Sequence, residues 1–234
     1  MLEEILKDGF NELNIEPDGR ALPRFRIYYD YLEEINRVMN LTAISGEADV
    51  ARLHFLDCCA ILGFEDMAGK RAIDVGSGAG FPGLAVKIAC PEMELTLLDS
   101  LDKRVNFLRN CCEKLGMPDV ECIHARAEEK AKDLRESFDF AMSRAVARLN
   151  LLSELCLPYV KPGGRFIAMK GPDCEDELNE AEKAITLLGG EIEKKADYLI
   201  PGTDIVHSLI VIKKVRNTPS KYPRRWAQIK KQPL

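Results

Sequence analysis

The chain has three histidines, one tryptophan and no Cys-x-x-Cys. Without cysteine pairs or histidines at ligand spacing, a bound zinc is excluded as an expectation. Its eight cysteines are Cys58, Cys59, Cys90, Cys111, Cys112, Cys122, Cys156 and Cys174. The neighbours Cys58-Cys59 and Cys111-Cys112 fall in helix-like segments, where adjacent side chains point about 100° apart. All eight are therefore expected as free thiols acting as small core residues. No apolar run reaches the roughly 18 to 20 residues that a membrane helix needs, so no membrane association is expected. The opening MLEEILKDGF is acidic and amphipathic, without the basic start and apolar block of a signal peptide. A cytoplasmic location is the expectation. Internal repeats and low-complexity segments are absent as well.

What is present suits one large domain: 234 residues, 46% hydrophobic and 30% charged, a mix able to bury a sizeable core. The net charge of −5 argues against a general nucleic-acid binder, but its distribution does not. From Lys213 onward there are eight basic side chains and no acidic one; removing those eight positive charges leaves −13 on the remainder. An acidic body with a basic end suggests a polyanionic partner.

Apolar residues recur at helical spacing over 2–14 and 24–39, and a third helix is expected over 47–62. Residues 1–48 read as an N-terminal helical cap. From Lys70 the texture changes to strands alternating with helices. AIDV (72–75), ELTLLD (94–99), VECIHA (120–125), FDFAMS (138–143) and GRFIAMK (164–170) are strand-like. Helices are expected from Pro82, over 101–116, after FDFAMS to about Leu157, and over 174–188. Such alternation implies an α/β fold, a mostly parallel sheet with helices on both faces, spanning 49–216. The last two runs, EIEKKADYLI and DIVHSLIVIKK, lack an intervening helix and are expected to pair as an edge hairpin. Residues 217–234 read as a basic tail.

The stretch AIDVGSGAGFPG (72–83) holds four glycines. A glycine turn between a first strand and its helix lets a ligand approach the backbone closely, at the carboxyl ends of the strands. The second strand ends in Asp99, 23 residues beyond Gly76, where a carboxylate can accept both hydroxyls of a ribose. The register Gly78-x-Gly80-x-x-Gly83 fits a dinucleotide fingerprint. The alternative register, from Asp74 through Gly76, Gly78 and Gly80, places an acid inside the strand's end. A pyrophosphate would be repelled there, whereas a sulfonium and an amino-acid headgroup supply positive charge. Asp74 thus favours S-adenosylmethionine over NAD, with a ligand-free turn as the bland alternative. Ala127 and Glu128 follow the third strand, where the adenine ring is expected.

Two signatures of nucleobase methylation are missing. Where an Asn/Asp-Pro-Pro-aromatic motif would stand, the chain reads Met142-Ser143-Arg144-Ala145-Val146, and there is no Pro-Cys dipeptide. A ring nitrogen such as guanine N7 needs neither, because its lone pair attacks directly and catalysis reduces to positioning and exclusion of water. Arg144 is a candidate to hold the base, a phosphate or the donor's carboxylate.

On Asn40-Leu41-Thr42, His54-Phe55-Leu56-Asp57, DVGSGAGFPG, LLDSLDKRVNFLR, Ala127-Glu128, SRAVA, Met169-Lys170-Gly171 and TPSKYPRR, the chain resembles the RsmG/GidB family over nearly its whole length. These are bacterial small-subunit ribosomal RNA methyltransferases. The resemblance implies a class I, Rossmann-like, seven-stranded methyltransferase domain acting on N7 of one guanine in the decoding-centre loop of 16S rRNA, and S-adenosylmethionine as donor. The implied donor pocket is Gly76, Gly78, Phe81, Asp99, Ala127, Glu128 and Arg144, joined here by Asp74. Lys103, Arg104, Lys170, Lys221, Arg224 and Arg225 become candidates to face RNA. The chain is expected to act as a monomer on 16S rRNA or the small ribosomal subunit. Ser77 replaces the family's usual threonine, and Trp226-Ala227-Gln228 stands where a Gly/Pro-containing link is expected. Trp226 is read either as an anchor of the tail or as a stacking partner for a base. Guanine N7 lies in the deep major groove of A-form RNA, so the target base is expected to be unpaired or flipped.

Overall fold

A computed structural model describes residues 1–144 and 146–234. Ala145, inside SRAVA, lies outside the described residues. Helices α1 (Leu2–Glu12) and α2 (Ala21–Met39) open the chain. A continuous helical run follows: α3 (Glu47–Val50), a π-helical turn (Ala51–Leu56), α4 (Asp57–Cys59) and a 3₁₀ turn (Ala60–Gly63). The expected third helix is thus present, but interrupted by one wide turn whose extra residue re-aims His54 and Asp57. Such π turns recur at functional sites.

The strands are β1 (Arg71–Val75), β2 (Glu94–Asp99), β3 (Glu121–His124), β4 (Phe138–Arg144), β5 (Val160–Lys170), β6 (Gly190–Leu199) and β7 (Val206–Lys214). Between them run α5 (Gly83–Ala89), α6 (Asp102–Lys114), α7 (Ala127–Lys130), α8 (Leu149–Cys156) and α9 (Glu175–Leu187), with α10 (Trp226–Lys231) near the end. The seven strands form one sheet in the order β3-β2-β1-β4-β5-β7-β6. β1 through β5 are parallel; β7 runs antiparallel to both β5 and β6, as a helix-free link requires. The strand order reverses between β1 and β4, which puts a crevice at their carboxyl ends.

The helical cap shares an apolar core with the sheet. One apolar cluster joins Leu2, Phe10, Phe25 and Tyr28 to Leu84, Leu97 and Val211. A second cluster on the opposite face includes Leu149, Tyr159, Ile185, Tyr222 and Ile229. The expected tail is therefore folded back onto the sheet's helices rather than free. All eight cysteines are unpaired. Among the described residues no helix is long and apolar enough to cross a membrane, and no cluster of side chains could hold a metal ion.

Candidate functional site

β1 ends at Val75 and the glycine turn is pinned to β2: Gly76 N–H and Ser77 N–H donate to the Leu98 carbonyl at 2.8 and 3.1 Å. Ser77 Oγ donates to the Asp74 carbonyl at 2.9 Å and accepts from Leu98 N–H at 3.1 Å, so its hydroxyl ties the turn to both strands. Gly76 and Gly78 adopt φ of +80° and +58°, a conformation costly for any residue with a side chain. A Cβ on Gly76 would sit 2.7 Å from Val146, whereas one on Gly78 would lie in ordinary contact, 3.9 Å from the Gly76 carbonyl oxygen. The turn is supported from below by Tyr28 of α2, whose hydroxyl donates to the Ala79 carbonyl at 2.5 Å.

Above this turn lies a cavity of about 470 Å³, large enough for a nucleoside-sized ligand. Asp99 stands at its edge, 3% exposed. Its two oxygens accept from Gly78 N–H and Leu101 N–H, each at 2.9 Å. A carboxylate offers about four lone-pair sites, so about two remain for a diol. Arg104 of α6 lies 3.6 Å from the same carboxylate and also lines the cavity. At the end of β3, Ala127 and Glu128 line it too, Glu128 accepting from Arg126 Nε at 2.6 Å.

The opposite end is built by β4 and the π turn. Arg144 is partly buried and donates to the Leu53 carbonyl and Asp57, both at 3.0 Å, and to His54 Nδ1 at 2.6 Å. Its guanidinium lies 5.0 Å from the centroid of Phe81, on which His54 also stacks at 4.3 Å. A guanidinium only donates, so Nδ1 of His54 accepts and the ring proton sits on Nε2, which donates to Thr42 Oγ1 at 2.8 Å. Burial, seconded by the Arg144 charge, pushes the His54 pKa down to about 3. Behind Arg144, Asp57 is fully buried and accepts from Tyr198 at 2.7 Å and His207 at 2.9 Å. Burial raises the Asp57 pKa, but the His207 hydrogen bond and the Arg144 charge outweigh it and hold the carboxyl below its ordinary value.

Seven of the eight expected pocket residues meet around this cavity: Gly76, Gly78, Phe81, Asp99, Ala127, Glu128 and Arg144. Asp74 does not. Its side chain is fully buried under the turn, where Oδ2 accepts from Gly83 N–H at 2.8 Å, tying β1 to the first amide of α5; Oδ1 has no partner among the described residues. Burial pushes its pKa up to about 7. Asp74 therefore holds the first amide of α5.

The RNA-facing candidates divide. Lys103, Lys221 and Arg225 are exposed, and Arg104 reaches the cavity rim. Lys170 turns inward, donating to the Ala147 carbonyl at 2.8 Å and pairing with Glu177 at 2.6 Å. Arg224 pairs with the buried Glu154 at 2.6 Å. Lys214, counted in the basic end, is fully buried against the Leu157 and Val160 carbonyls, Thr218 and Glu136. These three cations hold the fold. Thr42, His54, Arg126 and Trp226 line the cavity without having been assigned a role there. Asn40-Leu41-Thr42 and the His54-Asp57 segment mark the family, but only the three-dimensional arrangement shows that His54 and Asp57 bond Arg144 and that Thr42 bonds His54.

A family model for GidB, rRNA small subunit methyltransferase G, matches residues 21–198. The chain is 48% identical over 236 residues to a ribosomal RNA small subunit methyltransferase G of Alkaliphilus oremlandii, covering 100% of this chain and 99% of that one. It is 44% identical to the protein of that name from Clostridium perfringens, covering 99% and 98%. Among solved structures it resembles TrmN from Thermus thermophilus (TM-score 0.57, 19% identity, 77% of this chain and 53% of that one). It also resembles TYW2 from M. jannaschii in complex with AdoMet (TM-score 0.52, 11% identity, 65% and 72%), a likeness of fold alone.

Proposed function

Because the chain belongs to the rRNA small subunit methyltransferase G family, a class I S-adenosylmethionine-dependent methyltransferase family, we propose that it methylates N7 of a single guanine in the decoding-centre loop of 16S rRNA, as a cytoplasmic monomer. The observation that carries this reading is the cavity itself. It lies at the switch point of the sheet, with Asp99 offering lone pairs at one end and an arginine fixed at the other. S-adenosylmethionine bound there supplies an electrophilic methyl group.

The residues fit that donor. Asp99 accepts the ribose hydroxyls, the bare Gly76–Gly78 backbone admits the chain of the ligand, and Ala127 with Glu128 borders the adenine. Arg144 has three of its five N–H donors engaged, leaving two to orient a carboxylate or the base. The lining also suits an attacking atom that carries no proton. His54 is the one imidazole among the described lining residues, and its lone pair is already taken by Arg144. Guanine N7 requires no base, so positioning and exclusion of water suffice. Arg104 and Arg126 at the rim, with Lys103, Lys221 and Arg225 outside it, supply cations for RNA phosphates.

The test uses small subunits from cells lacking this gene, purified protein and methyl-labelled donor, followed by mapping of label in RNase fragments. Label at one decoding-loop guanine is expected, and its loss with Asp99→Ala. Label on another base, or full methylation by Asp99→Ala, contradicts the reading.

A further inference from the structure

Trp226 is the only tryptophan in the chain, and it lines the cavity. It begins α10, which packs on α8, and like Ala125 and Ala127 it packs against the second apolar cluster. Leu155 of α8 belongs to that cluster and, with Ala125 and Ala127, also lines the cavity. Around the indole, the 217–234 segment is fastened to the body at four points. Thr218 Oγ1 donates to the Leu188 carbonyl at 2.7 Å, Tyr222 and Ile229 are buried in the same cluster, and Arg224 pairs with Glu154 at 2.6 Å. Arg135 from the loop before β4 donates to the Tyr222 carbonyl at 2.8 Å. The segment's place is thus determined by the body, and the indole is its one large aromatic facing the cavity.

Resting on the reading of the cavity as a donor site, we propose that Trp226 is a wall of the adenine subsite, packing its indole against the purine opposite Asp99 and Ala127. An indole is flat, apolar and carries one N–H donor. A purine is flat, with edge acceptors and an exposed π-face. Arg144 is cationic and suits the amino-acid part of the ligand, whereas Trp226, Leu155, Ala125 and Ala127 give the lining the apolar surface that a purine face needs. The C-terminal segment is then part of the small-molecule site, and its loss weakens donor binding together with the RNA contacts the segment itself makes.

The experiment exploits the single indole. S-adenosylhomocysteine, the demethylated product, is titrated into the full-length protein, with binding followed by calorimetry and by Trp226 emission in the same buffer. The expected result is a saturable change in emission with the calorimetric dissociation constant, and protection of the indole from acrylamide quenching by the ligand. Trp226→Ala is expected to weaken binding about tenfold and Trp226→Phe to restore most of it. Wild-type emission and quenching need no variant, so misfolding of Trp226→Ala leaves the test standing. Binding by calorimetry with unchanged emission and unchanged quenching overturns the Trp226 assignment while the donor site survives. Absence of any binding to the wild-type protein overturns both.

Discussion

Asp74→Asn is expected to stabilise the protein increasingly as pH rises. The wild-type carboxyl is fully buried, one oxygen accepts from Gly83 N–H at 2.8 Å, and the other has no partner among the described residues. Burial, only partly offset by that hydrogen bond and by Arg144, moves the pKa from 3.8 to about 7. A folded-state value above the unfolded one means that the folded protein holds the proton more tightly. Stability is therefore greatest with the acid protonated and is lost as pH rises from about 4 to about 7. At about 1.4 kcal/mol per unit the ceiling is about 4 kcal/mol, of which about 2–3 kcal/mol falls between about pH 5 and about pH 8. Asparagine keeps a carbonyl for Gly83 but buries an unpaired N–H, a pH-independent cost of about 1–3 kcal/mol. That offset shifts the whole difference curve without changing its slope. Urea unfolding of both proteins across this range gives the difference directly, and acid effects from other groups cancel in it. A difference that is flat with pH refutes the buried, raised-pKa carboxyl, and one that falls with pH reverses its sign.

Asp57→Ala leaves the Arg144 guanidinium buried without its counter-charge and is expected to cost about 3–5 kcal/mol in urea unfolding; a loss below about 1 kcal/mol would show that Arg144 finds another partner. His54 is expected to stay neutral at about pH 5 as the Nε2–H tautomer, read from its ring nitrogen shifts by NMR. Because its folded pKa is depressed, stability is lost as pH falls below the unfolded value of 6.5 toward about 3. A ring that titrates near 6.5 sinks the Arg144–His54 hydrogen bond. Lys221→Glu with Arg225→Glu is expected to weaken RNA binding and to reduce its salt slope by about 1 per lost phosphate contact, with donor affinity unchanged. An unaltered slope removes these two side chains from the interface. Cutting the chain after Arg216 is not an equivalent test, because it strips Tyr222, Trp226 and Ile229 from the second core cluster.

The sheet was legible because strand-like runs alternate with helical ones and some carry a local end signal, glycines after β1 and Asp99 as the last residue of β2. The antiparallel β6–β7 pair followed from the missing helix between them. The basic end was legible as charge but not as structure. A run of lysines and arginines reads the same whether solvated or folded, and the acids that bind Lys214 and Arg224 lie far away, at Glu136 and Glu154. The π turn that brings His54 and Asp57 to Arg144 has no compositional mark, since apolar spacing over 47–62 fits an ordinary helix equally well.

Asp74 shows where pattern reasoning stops. An acid at the end of a strand before a glycine turn points to a charged ligand only if its side chain faces the crevice. In β1 four consecutive residues, Ala72 to Val75, are buried, because helices cover both faces of the sheet. A strand buried on both sides shows no alternation from which a facing direction can be taken. The neighbouring acid differs in this respect. Asp99 is the last residue of β2, and the backbone turns away immediately after it. Its carboxylate reaches the Gly78 amide and the cavity together, whereas that of Asp74 closes the turn from beneath through Gly83. The two carboxylates thus share one loop from opposite sides. Asp74 fixes the backbone that Asp99 presents to a ligand, so loss of Asp74's hydrogen bond acts on the site through Gly76 and Gly78 rather than by contact.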